Sequence, residues 1–465
     1  MAESRGELEA LLAEHGQAHL LQFWNELTVD QRRELARDIG SVDFALLKRL
    51  YQRFRNDTGR ERCGALEPPP AIRLSEECES ARMRAVELGR QAIADGKVAM
   101  ILVAGGQGTR LGFDRPKGLF PIGPLSRRTL FQVLVDRLRA IRRRHDAAVP
   151  LWILTSPATD EATRAYFRER DYLGLPPADV HFFCQGTMPA VDRANGRVLL
   201  ADRHRIALSP NGHGGMLAAL DECGGLEQAA ERGIEYFFYG QVDNPLLPVC
   251  DPRMIGHHIE YASELTSLAV VKRHADERVG NFVQTDACVQ IIEYIDFPEE
   301  AARRVDASGR LVFWAGSIAV HVMNRAFLQR AAARADALPF HFALKKTPFV
   351  NEQGERIEPD QPNSVKFERF IFDLLPLAER PLVVEVERDE AFAPVKNADG
   401  SPADTPAAAR RMMIAQHRRW LEAAGARVAD VPVEIHPLWA DSAEEVAGRL
   451  GCETVVDEPT YFTDC

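Results

Sequence analysis

Apolar residues recur along this chain in two periods. Between positions 7 and 55, Phe23, Trp24, Leu27, Leu35, Ile39, Phe44, Leu47, Leu50 and Tyr51 fall at helical spacing. Thr28-Val-Asp-Gln31 has the form of a capping box, so this N-terminal region reads as helical. A further helix is predicted over 80–94. Beyond it, short apolar runs at 98–104, 150–155, 180–183, 236–242, 267–272 and 382–387 alternate with helical stretches. That alternation predicts an α/β fold with a mostly parallel central sheet covered by helices. Residues 56–76, with Gly59, Gly64 and prolines at 68, 69 and 70, read as a linker. After about residue 400 the pattern changes to one helix over 407–425 and short β-like runs at 431–435 and 453–456. The expected division is a helical region with linker over 1–75, a main domain over 76–400 and a small β-containing C-terminal lobe over 401–465.

In an open parallel sheet, ligands bind beyond the carboxyl ends of the strands. The most informative stretch lies at such an end: Leu102-Val-Ala-Gly-Gly-Gln-Gly-Thr-Arg-Leu-Gly112, followed by Pro116-Lys117-Gly118. Ala104 ends the apolar run, and Gly105, Gly106 and Gly108 leave backbone N–H groups free to approach an anion. Arg110 and Lys117 add two positive charges. It is not a Walker A loop, because Lys117 is followed by glycine where a magnesium-binding hydroxyl is needed. Nor is it the dinucleotide fingerprint, whose third glycine here arrives one place late. Gln185 follows the 180–183 run and Asp243 the 236–242 run, so three motifs are expected at one sheet edge, as for a single nucleotide site.

Charge narrows the partners. With 57 Lys plus Arg against 68 Asp plus Glu, the net charge of −11 argues against general nucleic-acid or acidic-membrane binding. No apolar run reaches the roughly 18 residues of a membrane span, and the first residues lack a basic segment leading into an apolar one. A cytoplasmic location is expected. The eight cysteines, at 63, 78, 184, 223, 250, 288, 452 and 465, show neither a Cys-x-x-Cys pair nor zinc spacing, and read as reduced thiols. With no long apolar heptad seam, a monomer is the default.

The glycine segment, continued through Ser126-Arg-Arg-Thr-Leu-Phe-Gln132, resembles the UDP-sugar pyrophosphorylases, and within them the UDP-N-acetylhexosamine enzymes of eukaryotic type. Further blocks follow in the family's order: Phe182-Phe-Cys-Gln-Gly186 with Met188-Pro189-Ala190, Ser209-Pro-Asn-Gly-His-Gly-Gly215, Val242-Asp-Asn244, Asp251-Pro252, Val289-Gln-Ile-Ile-Glu-Tyr294, Trp314-Ala-Gly-Ser-Ile318 and Pro394-Val-Lys-Asn-Ala-Asp399. The resemblance implies a Rossmann-like nucleotidyltransferase core and attack of a sugar-1-phosphate on the α-phosphorus of UTP, releasing pyrophosphate. N-acetylglucosamine-1-phosphate is the expected sugar, and glucose-1-phosphate or a broader hexose-1-phosphate range the alternative. A non-catalytic UDP-sugar-binding protein is the reading from another class.

Because the attacking phosphate is already ionised at pH 7, such a reaction needs alignment and charge neutralisation, not a general base. By the resemblance, Ala104, Gly105, Gly106 and Gly108 form the nucleotide floor, Arg110 binds the leaving phosphates, Lys117 neutralises the α-phosphate and Lys396 holds the phosphates from the far side. Gln185 and the backbone of Gly212 read uracil, whose imide edge suits an amide that both donates and accepts. Gly280 and Glu293 are implied at the sugar. Asp243 is the candidate ligand for Mg²⁺ (or Mn²⁺), which is usually held by one or two carboxylates plus substrate phosphates; an Asx turn is the other reading of Asp243-Asn244-Pro245. Two positions depart from the hexosamine pattern: His213 and Ser317 stand where asparagine is usual. Both are expected near the sugar, and His213 gives a Gly-His-Gly core more like the UDP-glucose enzymes. The block Lys345-Lys-Thr-Pro-Phe-Val-Asn351 favours the hexosamine branch.

Overall fold

Val98–Val103 is apolar at every position and buried along nearly its whole length, as expected of a strand covered on both faces. In the computed structural model, which describes residues 5–56, 65–285, 288–334, 337–451 and 454–464, this strand lies inside a ten-stranded sheet. In chain order its strands are β1 (Ala71–Ile72), β2 (Val98–Val103), β3 (Leu151–Thr155), β4 (Val180–Cys184), β5 (Tyr236–Gln241), β6 (Leu265–Val271), β7 (Asn281–Gln284), β8 (Val289–Ile292), β9 (Ala315–Asn324) and β10 (Leu382–Glu385). Their spatial order is β1-β10-β6-β9-β5-β2-β3-β4, with the β7–β8 hairpin joined to β9 through Asn281 and Gly316. Strands β5, β2, β3 and β4 are mutually parallel, with Gln241 beside Val103 and Val103 beside Leu154. β9 is antiparallel to both of its neighbours. The mostly parallel sheet is therefore present, with two reversed strands, β9 and the outer strand β8 of the hairpin, that the apolar runs did not reveal.

The chain divides into two compact units. The larger comprises Gly64–Cys184, Leu217–Ala337 and Phe372–Cys465 and contains the whole sheet. Its core joins β2 and β3 to the Leu130–His145 helix through Met100, Leu102, Ile153, Phe131, Leu134 and Leu138, all essentially inaccessible to water. That helix begins in a capping box, Thr129 and Gln132 each accepting the other's backbone N–H, which typically contributes about 1 kcal/mol. On one flank the Glu79–Ala94 and Pro252–Glu260 helices are in backbone contact at Gly89 and Gly256. Residues 71–72, which composition placed in a linker, form the edge strand β1 beside β10, just after three prolines. Prolines tolerate such a place because an edge strand need not pair on both sides. Gly59, Gly64 and Cys63 of that linker, and Cys452, Glu453 and Cys465, lie outside the described residues.

Beyond residue 400 the larger unit carries the Pro406–Ala423 helix, the Ala443–Arg449 helix, and two parallel pairs, Arg427–Val428 with Val455–Val456 and Val433–Ile435 with Thr460–Phe462. The buried Glu434 accepts the backbone N–H groups of Leu125 (2.6 Å) and Ser126 (2.7 Å) and the Ser126 hydroxyl (2.6 Å), tying this region to the segment that follows Lys117.

The smaller unit comprises Met1–Cys63, Gln185–Met216 and Leu338–Ile371. Its helices Arg5–Glu14, Val29–Gly40 and Phe44–Asn56 appear as the spacing predicts, the second with the Thr28–Gln31 capping box formed. They do not build a core alone. Leu12, Leu35, Ile39 and Leu47 pack with Val191, Val198, Ile206, Val365 and Phe367 from the two later segments.

Candidate functional site

The glycine loop leaves the sheet at Ala104, whose N–H donates to Leu154 (2.8 Å). The Ser156 hydroxyl then donates to the Gly105 carbonyl (2.7 Å), and the Lys117 N–H to the Gly106 carbonyl (3.0 Å). Gly108 donates to Arg115 (2.9 Å), and a side chain there would meet the Phe113 carbonyl at 2.7 Å. The glycine is required by that close approach. Gly118 is likewise forced, since a Cβ would lie 2.1 Å from the Phe131 ring. Arg110 sits on the short turn Thr109–Leu111, exposed and with no side-chain partner among the described residues. A guanidinium in that state is available to a phosphate.

Strand β5 ends beside β2, which brings Asp243 to the same edge. Its Oδ2 lies 3.1 Å from Lys117 Nζ, and both side chains are largely buried. Burial opposes ionisation of this carboxyl, but the charges of Lys117 and Lys396 and the Lys117 hydrogen bond outweigh it and hold Asp243 below the ordinary carboxylate range. Lys396 arrives from far along the chain. The Val395 N–H donates to the Asp243 carbonyl (2.8 Å), and the N–H groups of Lys396 and Asn397 both donate to Asp404 (2.8 and 3.0 Å). Two lysines predicted to serve the phosphates are thus gathered around one carboxylate.

Gly280, Glu293 and Ser317 also come together. A point where a Gly280 Cβ would stand is 3.5 Å from Glu293 Oε1 and 3.8 Å from Ser317 Cβ. Ser317 N–H donates to the Gly280 carbonyl (2.8 Å), fixing the β7–β8 hairpin against β9.

The remaining predicted residues lie in the smaller unit. Gln185 stands one residue past the end of β4 and is buried. The Asn211 N–H donates to Gly186 (3.1 Å), which sets Gln185-Gly186 beside Asn211-Gly212. Gly212 has φ +85°, and a Cβ would meet the Arg369 carbonyl at 2.4 Å. His213 accepts the Ile371 N–H at Nδ1 (3.2 Å) and stacks on Phe370. In that bond Nδ1 is the acceptor.

Comparison with known proteins decides the family. The profile of the UTP–glucose-1-phosphate uridylyltransferases matches residues 46–432. The chain belongs to this family. It is 35% identical over 452 residues to the human UDP-N-acetylhexosamine pyrophosphorylase-like protein 1, covering 94% of this chain and 88% of that one. It is 34% identical over 469 residues to the UDP-N-acetylglucosamine pyrophosphorylase of Saccharomyces cerevisiae, covering 96% and 97%. Among solved structures, the Trypanosoma brucei UDP-N-acetylglucosamine pyrophosphorylase in complex with inhibitor superposes with a TM-score of 0.81 at 28% identity, over 96% of this chain and 95% of that one.

Within this family member, Asn244 is a residue that sequence reasoning passed over as a possible turn former. It is buried; its amide donates to the Ala391 carbonyl (2.7 Å), and its carbonyl accepts the N–H groups of Ala393 (3.0 Å) and Leu246 (3.3 Å). It therefore pins the chain approaching Lys396 to the loop holding Asp243. Removing these bonds frees the segment that carries Lys396, and misplacement of about 1 Å can cost 10²-fold in rate. Asn244→Ala should lower kcat at least tenfold with little change in sugar KM, as read by steady-state pyrophosphate release.

The donor set also bears on a metal. Among the described residues no group of three His, Cys, Asp or Glu converges as a metal-ion cage. Mg²⁺ seldom uses one; it keeps waters and binds through one or two carboxylates and phosphates. Asp243, ionised at the loop edge, fits that pattern.

Proposed function

We infer that this protein is a uridylyltransferase that forms UDP-N-acetylglucosamine and pyrophosphate from UTP and N-acetylglucosamine-1-phosphate. The observation that carries the reading is the assembly of Lys117, Asp243 and Lys396 beside a glycine loop whose close backbone contacts exclude side chains. Membership of the family and the names of its relatives supply the substrate class.

In this reading the glycine-loop amides bind the triphosphate, and Arg110 takes the β- and γ-phosphates with its forked donors. Lys117 neutralises charge growing on the α-phosphate, and Lys396 meets it from another side. Gln185 and the Gly212 backbone read the uracil edge. Gly280, Glu293, Ser317 and His213 contact the sugar, Glu293 accepting from its hydroxyls. Asp243 would hold Mg²⁺, which when bound supplies further neutralisation of the phosphates. No residue moves a proton in this reading. No helix among the described residues is long and apolar enough to cross a membrane. We place the protein in the cytosol as a monomer with a Rossmann-like core and a C-terminal lobe.

The test is pyrophosphate release with UTP, Mg²⁺ and either sugar phosphate. We expect kcat/KM for N-acetylglucosamine-1-phosphate to exceed that for glucose-1-phosphate by tenfold or more. A reversed preference overturns the sugar assignment, and silence with both sugars overturns the transferase.

A further inference from the structure

Lys272 is a buried cation in the larger unit, only 4% exposed, with no carboxylate in contact among the described residues. Its Nζ donates to the side-chain carbonyl of Asn281 at 2.5 Å and stands 5.5 Å from the centre of the Phe297 ring. Glu277 and Asp276, whose charges reach it, are each bonded to an arginine instead. Glu277 is paired with Arg388 (2.8 Å) and Asp276 with Arg303 (3.1 Å). A buried charge is ordinarily paired, because desolvation is costly and an amide oxygen offsets only part of it.

The position of this charge gives it a use. Lys272 Cγ lies 3.2 Å from where a Gly316 Cβ would be, and Gly316 immediately precedes Ser317. Asn281 immediately follows Gly280, and its amide nitrogen reaches the carbonyls of Val279 (3.4 Å) and Ile292 (3.5 Å), the residues before Gly280 and Glu293. Lys272 and Asn281 thus back all three members of the Gly280–Glu293–Ser317 cluster. We propose that Lys272 is a specificity-determining residue for the acceptor, a buried positive charge, with no contacting carboxylate among the described residues, whose field offsets the negative charge of Glu293 from behind the Gly280–Glu293–Ser317 cluster, so that the subsite admits a dianionic sugar phosphate. The inference rests on the reading of that cluster as the acceptor subsite. It also accounts for the neutral amide at 281: a carboxylate there would cancel the field. In a low-dielectric surround, such a field acts over several ångströms with little screening by salt.

Asn281→Asp is the decisive variant because it is nearly isosteric and converts the lysine–amide bond into an ion pair. Its predicted effect is a five- to tenfold rise in KM for N-acetylglucosamine-1-phosphate, with KM for UTP unchanged and a melting temperature equal to or above wild type. In the reverse direction KM for the UDP-sugar, whose sugar carries no phosphate dianion of its own, should change less than twofold. Lys272→Arg, which keeps the charge, should retain the wild-type acceptor KM more closely than Lys272→Met. An acceptor KM within twofold of wild type in a well-folded Asn281→Asp protein overturns the proposal and leaves Lys272 a packing residue. Equal increases for UTP and acceptor overturn it as well. Wild-type turnover with each sugar phosphate, measured alongside, reports separately on the function itself.

Discussion

Replacing Lys117 with alanine should reduce kcat for pyrophosphate release by about 10²–10³-fold, the usual consequence of removing one preorganised donor to a charged transition state. The lysine is held by two independent constraints. Its backbone N–H is fixed to the Gly106 carbonyl, and its ammonium to Asp243 at 3.1 Å. A group so restrained loses little entropy when substrate arrives, so its contribution falls on the reacting complex and not on ground-state binding. The expected signature is a large loss in kcat with a smaller change in KM for UTP. Equal loss in 1/KM with kcat intact would instead make Lys117 a simple binding group.

The same substitution has a second, thermodynamic readout. Asp243 is buried, and the two lysines hold its carboxyl below the ordinary range. A carboxyl depressed in the folded state contributes stability that is complete above its unfolded value, near pH 4, and is lost as pH falls toward the folded value. Without Lys117 only Lys396 remains of the two lysines to oppose the desolvation of Asp243. The acid limb of the stability curve should therefore lie at higher pH in Lys117→Ala than in wild type. Thermal unfolding at a series of pH values between 3 and 6 measures this, and superimposable acid limbs would show that Asp243 is not ionised against Lys117.

How much of this was legible follows from how local each signal is. The strands at 98–103, 151–155 and 236–241 announced themselves because strands buried on both faces are continuous apolar runs, and the edge strand at 180–184 by its apolar Val180, Phe182 and Phe183. The glycine loop, Lys117 and Asp243 were readable as motifs at the ends of those runs. Strand β9 escaped notice, since residues 314–318 drew attention as a motif block and small residues mask its strand character. The β7–β8 hairpin is short and half-polar and gave no clear alternation. Asn244 could not be found at all, because its partners at 391 and 393 are 147 and 149 residues away and a buried amide looks the same in sequence as a turn former. The grouping of the N-terminal helices with residues 185–216 and 338–371 is likewise non-local. Amphipathic helices declare that they have a buried face, not what buries it.

Helical glycines give the sharpest case of information hidden from sequence, and Gly256→Ala is its test. In isolation the substitution favours the helix by about 1 kcal/mol. Here a Cβ would stand 1.6 Å from the Ala85 carbonyl oxygen and 2.4 Å from its carbon, in the neighbouring Glu79–Ala94 helix. The obstacle is backbone, so no side-chain rotation relieves it, and the helices must move apart. Gly89 makes the reciprocal approach, with a Cβ point 1.9 Å from the Pro252 carbonyl, so the same interface is closed from both sides and cannot shift at one glycine without disturbing the other. Separation would open the packing around Ile93, Met254 and Ile255, all of which are buried in the main core. Overpacking of this kind costs more than the propensity gain returns, and we expect a net loss of about 3 kcal/mol or more. Urea unfolding should show a lowered midpoint with an unchanged slope. A midpoint equal to or above wild type would mean that helix propensity outweighs the contact and that the two helices are free to separate.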